Sequence, residues 1–329
     1  MKEDQRLLDV HDLRVWFPVR KSFLSKAKTF VRAVDGVSFF VRQGEIFCLV
    51  GESGCGKTTV ANTLLGLVKA TSGSATFNEM NLLSLPKEQR RDFRRNTQMI
   101  FQDPYESLNP HMTIFDIIAE PLEVNHLAGN HDEKESRVTE SLKAVGLTPP
   151  QAFLDHYPHQ LSGGQRQRVA IAAALVLKPA LILADEPVSM LDISVRAGIL
   201  KLMLDLRNEF NLTYLFITHD LATARNFVDR VAVMYLGRIV ETGDTKSVIE
   251  TPLHPYTKAL ISVVPVPDPK TKKQKTLLAG EIPSPIEIPS GCRFHTRCPI
   301  ARESCSKHDP ELQEVRPGHY VACPFVDVK

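Results

Sequence analysis

Ile46-Phe47-Cys48-Leu49-Val50-Gly51-Glu52-Ser53-Gly54-Cys55-Gly56-Lys57-Thr58-Thr59 is the stretch that decides the fold. Its first five residues form a continuous apolar run, which suits a strand buried on both faces of a parallel sheet. The next nine fit G-x-x-x-x-G-K-[ST], a loop whose glycines let backbone N–H groups turn onto phosphate oxygens. In that pattern Gly51, Ser53, Gly54, Cys55, Gly56 and Thr59 complete the cradle, with Cys55 needed only for its backbone. Lys57 adds a point charge, and Thr58 offers a hydroxyl to Mg²⁺. A helical pattern runs from Lys57 to about Val68 and points its positive end at the anion. A glycine-rich turn alone also suits any tight loop. The Lys-Thr pair, the buried strand before it and the helix after it point to a phosphate site instead. Strand, turn and helix open a doubly wound α/β domain.

Working outward, residues 8–19 and 31–41 read as strands near a domain edge. Leu181 to Ala184, Thr213 to Ile217 and Val231 to Tyr235 read as further buried strands of one sheet. Residues 85–100 carry Arg90-Arg91 and Arg94-Arg95 and read as a solvated helix face, while 111–178 are mostly helical in pattern. The strand at 181–184 ends in Asp185-Glu186, at the carboxyl edge where α/β sheets bind ligands. Asp185 suits the Mg²⁺ shell, and Glu186 suits the base that orients an attacking water. Twenty residues upstream stands Leu161-Ser162-Gly163-Gly164-Gln165. Ser162 with Gln165 forms a capping box for the helix that follows. The two adjacent glycines exceed what a cap requires, and they leave bare backbone at a helix start, a second anion site.

The bulk numbers are those of a soluble globular protein. There are 329 residues, 43% hydrophobic and 24% charged, with 40 basic against 38 acidic side chains and a net charge of +2. That balance gives no electrostatic reason to expect nucleic acid. The longest purely apolar run, Val169 to Leu177, is far short of the roughly 20 residues that cross a bilayer. Met1-Lys2-Glu3-Asp4 lacks the apolar stretch of a secretory signal. A cytosolic protein is expected, reaching any membrane through a partner.

With Leu161 to Gln165 in place beside the phosphate loop, the chain resembles the ABC ATPase family, whose signature motif those residues match. The resemblance implies a P-loop NTPase of ABC type, with a RecA-like core, an antiparallel β subdomain and a helical subdomain at about 103–178. It implies ATP and Mg²⁺ as cofactors. It also implies a head-to-tail dimer in which Ser162, Gly163, Gly164 and Gln165 contact the γ-phosphate held by the other protomer. By position, Gln102 looks like the family's Q-loop glutamine, which senses Mg²⁺ and water. Asp192 looks like the D-loop aspartate, and His219 like the switch histidine that touches the γ-phosphate. Phe17 stands where the family stacks an aromatic on adenine, with Trp16 beside it.

A narrower resemblance rests on Asn109-Pro110, Ala184 to Ser189, His254-Pro255-Tyr256-Thr257 and a cysteine-bearing tail. These are similar to ATPase subunits of dipeptide and oligopeptide importers. The implied partners are a second ATPase subunit, favoured as a distinct paralogue, two transmembrane permease subunits and, indirectly, an extracytoplasmic substrate-binding protein. The implied location is the cytoplasmic face of the cell membrane, peripherally bound. Rival readings are an importer ATPase for a sugar or nickel complex, a non-transport ABC ATPase, and a regulatory subunit that binds ATP without turnover. Two departures from the family pattern are Met190, where alanine is usual, and Ala173, where arginine is usual.

After about residue 250 prolines accumulate and Lys270 to Lys275 form a basic link. The expected division is an ATPase domain at 1–250 and an extension at 251–329, with a small separate unit from about 277. Cys292, Cys298, Cys305 and Cys323 give that unit four thiols, which in a reducing compartment suggest a metal site before disulfides. A structural zinc site shows close C-x₂₋₄-C pairs, absent here. The loose spacing suits a 4Fe–4S cluster at least as well, so zinc and iron stand even, with reduced thiols as a third option. The importer resemblance implies the cluster. His295, His308 and His319 are candidate substitute ligands, read first as surface residues.

Overall fold

The computed structural model describes residues 5–19, 29–263, 278 and 280–326. The charged start Met1 to Asp4 and the basic link Lys270 to Lys275 lie outside the described residues. Along the chain the strands are β1 (Arg6–Val19), β2 (Thr29–Arg42), β3 (Ile46–Val50), β4 (Ser72–Phe77), β5 (Met80–Asn81) and β6 (Thr97–Ile100). They continue with β7 (Leu181–Asp185), β8 (Thr213–Thr218), β9 (Arg230–Tyr235), β10 (Arg238–Asp244), β11 (Gln313–Arg316) and β12 (His319–Val321). The chain divides into two compact units.

One unit comprises Arg6–Val41, Glu45–Ser84 and Ile217–Lys329. Part of it is a four-stranded sheet of order β2-β1-β4-β5. The antiparallel pairing sets Leu8 opposite Phe77 and Val10 opposite Ala75, so apolar side chains share one buried face. The rest of the unit has the strand order β11-β12-β10-β9-β3. β3 runs parallel to β9, with Cys48 opposite Val231 and Val50 opposite Val233. Every residue of β3 is buried. That burial explains the unbroken apolar run read in the sequence. The helix after the glycine loop spans Lys57–Leu64 and stops short of the expected Val68. Gly66 ends it with φ +70°, and its N–H donates to the Thr63 carbonyl.

The tail does not stand apart as a separate unit. β12 pairs antiparallel with β10, Glu241 opposite Val321, and β11 adds to β12. Phe294 is fully buried against Tyr235 and Tyr256, with ring centroids 5.2 Å and 5.4 Å away. Arg293 pairs with Asp35 and donates to the Leu236 carbonyl, all buried. Burial raises the Asp35 carboxyl, but Arg293 and the Trp16 indole N–H more than offset it and hold it below the usual range. The proline-rich composition gave no sign of this hairpin.

The other unit comprises Leu85–Phe216 with Arg42–Gly44. It holds β6, β7 and Thr213 to Phe216 of β8, in the order β8-β7-β6. β6 and β7 are parallel, with Ile100 opposite Ala184. The expected charged helix is present at Lys87–Asn96, followed by β6, which the arginine-rich composition concealed. The expected helical region resolves into Ile114–Val124, His131–Ala144 and Gly163–Leu175. Thr113 and Asp116 form a reciprocal capping box at the first of these. Ile114, Ile118 and Leu122, four apart, are buried on its inner face.

Candidate functional site

The phosphate loop joins β3 to the helix Lys57–Leu64. Gly56 is the N-cap residue at φ +107°, and a Cβ there would stand 2.1 Å from the Ala33 carbonyl oxygen. Gly51 is closed in the same way, 2.2 Å from the Met234 carbonyl oxygen. Gly54 has φ +79° and open space, so its glycine serves conformation alone. No side chain caps the helix start, which leaves its first N–H groups directed into the loop. Lys57 is buried, and its ammonium donates to the carbonyls of Gly51 at 2.7 Å and Glu52 at 3.1 Å. It also lies 3.7 Å from the Cys55 sulfur. Burial raises the Cys55 thiol against the pull of Lys57, so it stays a protonated filler of the loop.

Downstream residues hold the loop from behind. The Glu52 N–H donates to the Tyr256 hydroxyl at 2.9 Å. The Glu52 carboxylate accepts two bonds from Arg297, at 2.9 Å and 3.3 Å. Motif reading missed all three residues, because the pattern leaves position 52 open. The signal available was Tyr256, inside a stretch already singled out by resemblance.

Phe17 and His219 lie in this same unit. Trp16 is committed to structure: its indole donates to Asp35 at 2.9 Å, and the Arg32 guanidinium sits 4.8 Å over its ring. Phe17 is the exposed ring of the pair, at 40%. His219 follows β8 and is exposed, beside Asp220, which caps the turn Leu221–Ala224 through the Ala222 N–H.

The remaining residues belong to the other unit. Ile100 and Ala184 pair across β6 and β7, so Gln102 and Glu186, two residues beyond each, become neighbours. The Gln102 amide donates to Glu186 at 3.3 Å. Asp185 closes β7 and is buried. Glu186 has φ +46°, a strained left-handed conformation for a non-glycine residue. Ser189 holds that turn, its N–H and hydroxyl donating to the Glu186 carbonyl at 3.1 Å and 3.0 Å. Arg196 fixes the next turn by donating to the carbonyls of Leu191 at 2.7 Å and Ser189 at 3.0 Å, a role the motifs do not signal. Asp192 begins the helix Ile193–Phe210 and is exposed, making no capping bond.

Ser162 caps the helix Gly163–Leu175. Its hydroxyl accepts from the Gln165 N–H at 3.3 Å, and the Gln165 side chain accepts from the Ser162 N–H at 2.9 Å. A Cβ at Gly164 would lie 2.7 Å from Val195 Cγ1, so this glycine lets two helices approach. Met190 and Ile193 are large apolar side chains left 57% and 83% exposed next to Asp192. Ala173 lies half-buried in the signature helix.

All six cysteines are free. Cys292, Cys298, Cys305 and Cys323 line one cavity of about 520 Å³, together with His295 and His308. The backbone draws the arms together: the Cys292 N–H donates to the Cys305 carbonyl at 2.8 Å. Burial and the neighbouring thiols push Cys292 up to about 11, and burial also raises Cys298 and Cys323. Among the described residues no group of three or more His, Cys, Asp or Glu is gathered to hold a metal ion. The four free thiols surround a space rather than converge on a point. His319 is neither ligand nor surface residue; it is buried, with its ring nitrogen 2.8 Å from Glu241.

Comparison with known proteins agrees with this arrangement. The family described as ABC transporter matches residues 34–189, and that described as oligopeptide/dipeptide transporter, C-terminal region, matches 240–305. The chain is 49% identical to the oligopeptide transport ATP-binding protein OppF of Escherichia coli, over 98% of this chain and 96% of that protein. It is 47% identical to AppF of Bacillus subtilis, over 97% of each. It is 43% identical to the dipeptide transport ATP-binding protein DppF of Haemophilus influenzae, over 99% of each. Among solved structures, a dimeric ATP-binding cassette bound to ADP and Pi matches with TM-score 0.62 and 30% identity, covering 72% of this chain and 98% of that one. These matches span nearly the full length of this chain and of the relatives, and this chain belongs to the oligopeptide/dipeptide transport branch of the ABC transporter ATP-binding proteins.

Proposed function

We propose that this chain binds and hydrolyses ATP to power peptide import through a membrane ABC transporter. The observation that carries the reading is the phosphate loop: an uncapped helix start, a buried Lys57 bonded to loop carbonyls, and two glycines that admit no Cβ. In this reading the loop from Gly51 to Thr59 holds the phosphates and Phe17 stacks on adenine. Thr58, Asp185 and Gln102 hold Mg²⁺. Glu186 takes the proton of the attacking water, kept in place by Gln102, and His219 contacts the γ-phosphate. Ser162, Gly163, Gly164, Gln165 and Asp192 act across a head-to-tail dimer on the partner's nucleotide. The exposed Met190 and Ile193 suit that seam. Catalysis is then positioning and electrostatics, with little covalent work for the protein.

Among the described residues no helix is long and apolar enough to cross a membrane. Transport therefore calls for two permease subunits, a second cassette, favoured as a paralogue, and an extracytoplasmic binding protein. The cassette would sit peripherally at the cytoplasmic face. Two tests apply. Glu186→Gln retains ATP binding and loses at least about a hundredfold in turnover; unchanged turnover removes Glu186 from the mechanism. Co-expression with the permease and binding-protein partners gives ATPase activity stimulated by peptides, whereas stimulation by a sugar or nickel complex alone redirects the cargo.

We further infer that the four tail thiols hold a 4Fe–4S cluster. A cavity ringed by four cysteine side chains suits a body larger than one ion, and thiolates are soft ligands for iron. When bound, the cluster would staple the tail; Cys292, Cys298, Cys305 and Cys323 supply its ligands. Anaerobically purified protein should carry four iron and four sulfide per chain. One equivalent of zinc without iron overturns this assignment.

A further inference from the structure

We propose that Arg297 is a positioning residue for the phosphate loop: by gripping the Glu52 carboxylate it keeps that loop in its phosphate-binding shape and neutralises an acid within it. The inference rests on the loop being the ATP site. It does not depend on what fills the thiol cavity.

Glu52 is the first residue after Gly51, and each of its polar groups is engaged. Its carbonyl accepts from Lys57 Nζ at 3.1 Å and from the Cys55 N–H at 3.3 Å. Its N–H donates to Tyr256 at 2.9 Å. Its carboxylate takes the two-pronged Arg297 bond, at 2.9 Å and 3.3 Å. Two of these holds come from residues more than 200 positions downstream. The guanidinium is well braced: it is buried and lies 5.9 Å over the Tyr235 ring, which packs on Tyr256 at 4.8 Å. Such a fork fixes direction as well as distance, which a single contact does not.

Charge supplies the second half of the argument. ATP brings several negative charges to a loop that already contains a carboxylate. With Arg297 present that acid is paired. Without it an unpaired anion remains beside the phosphates, and its repulsion acts on nucleotide binding before it acts on chemistry. Arg297 immediately precedes Cys298, whose side chain lines the thiol cavity. The tail thereby reaches the nucleotide site through one covalent step and one ion pair.

The test measures MgATP affinity and turnover of the full chain, with thermal midpoint and iron content as controls. Arg297→Met should raise the dissociation constant and KM for MgATP about tenfold, with kcat changed less than threefold. Arg297→Lys, which keeps the charge but loses the fork, should fall between. Adding Glu52→Gln to Arg297→Met should bring affinity back to within about threefold of the parent, because the unpaired charge is gone. An unchanged thermal midpoint across these variants separates this rescue from a recovery of folding. Affinity within twofold of the parent in Arg297→Met, or no rescue by Glu52→Gln, overturns the proposal. Should Arg297→Met fail to fold, Arg297→Lys and Arg297→Gln carry the test, and unaltered affinity in both overturns it equally. A parent chain that does not bind MgATP would instead refute the ATPase reading itself.

Discussion

Gly56 and Gly54 occupy the same loop and carry different burdens. Alanine at 56 meets both an unfavourable φ and a backbone oxygen at 2.1 Å, while alanine at 54 meets only the φ. Gly56→Ala should therefore cost roughly 2–4 kcal/mol of stability and abolish ATP binding. Gly54→Ala should cost about 1–2 kcal/mol. Denaturant midpoints with nucleotide titrations check the ranking, and equal effects would mean the Ala33 contact yields freely. At this scale the sequence was informative wherever chemistry fixes residue type, as at Lys57, Asp185, Glu186 and Ser162. It was silent at Glu52 and Arg196. Their partners are a distant guanidinium and two backbone carbonyls, which impose no local pattern.

Among the elements, the signature helix combines two demands at one residue. Ser162 caps the helix, and in the proposed dimer its hydroxyl also faces nucleotide. Ser162→Ala should lose about 1 kcal/mol of stability together with ATPase activity. Ser162→Asn, a good cap, should keep the stability and still lose at least about tenfold in activity. Equal stability of Ser162→Ala and the parent would argue that the cap contributes nothing. The buried strands β3, β7, β8 and β9 were legible because burial on both faces demands unbroken apolar runs. β4 was not, since Ser-Gly-Ser-Ala-Thr-Phe shows its face toward β1 only once the pairing of Leu8 with Phe77 is known. β12 was equally hidden. His319 and Val321 are buried by β10, not by any apolar pattern of their own.

For the molecule as a whole, acid sensitivity should trace to His254. Its ring nitrogen Nδ1 accepts the Tyr256 N–H at 3.1 Å, capping the helix Pro255–Ser262 in its neutral form. Burial lowers its pKa from 6.5 to about 4. Between those values the unfolded chain takes a proton that the folded chain refuses, so stability falls as pH falls through this window. At pH 5 the loss relative to pH 7 should be about 2 kcal/mol, measured by denaturant unfolding. His254→Asn, which can still cap, should flatten that slope; an unchanged slope would assign it elsewhere. The cysteine tail was legible as four thiols and not as placement. Nothing local reveals that Phe294 fills a gap beside Tyr235 and Tyr256, or that Arg293 anchors to Asp35.

The Arg297–Glu52 fork also has a bearing on inheritance. Two positions 245 residues apart form a single compatibility unit, so a change at one exposes the other to selection. A recombinant cassette with its tail exchanged for that of a relative would keep its nucleotide affinity only when acid and arginine travel together.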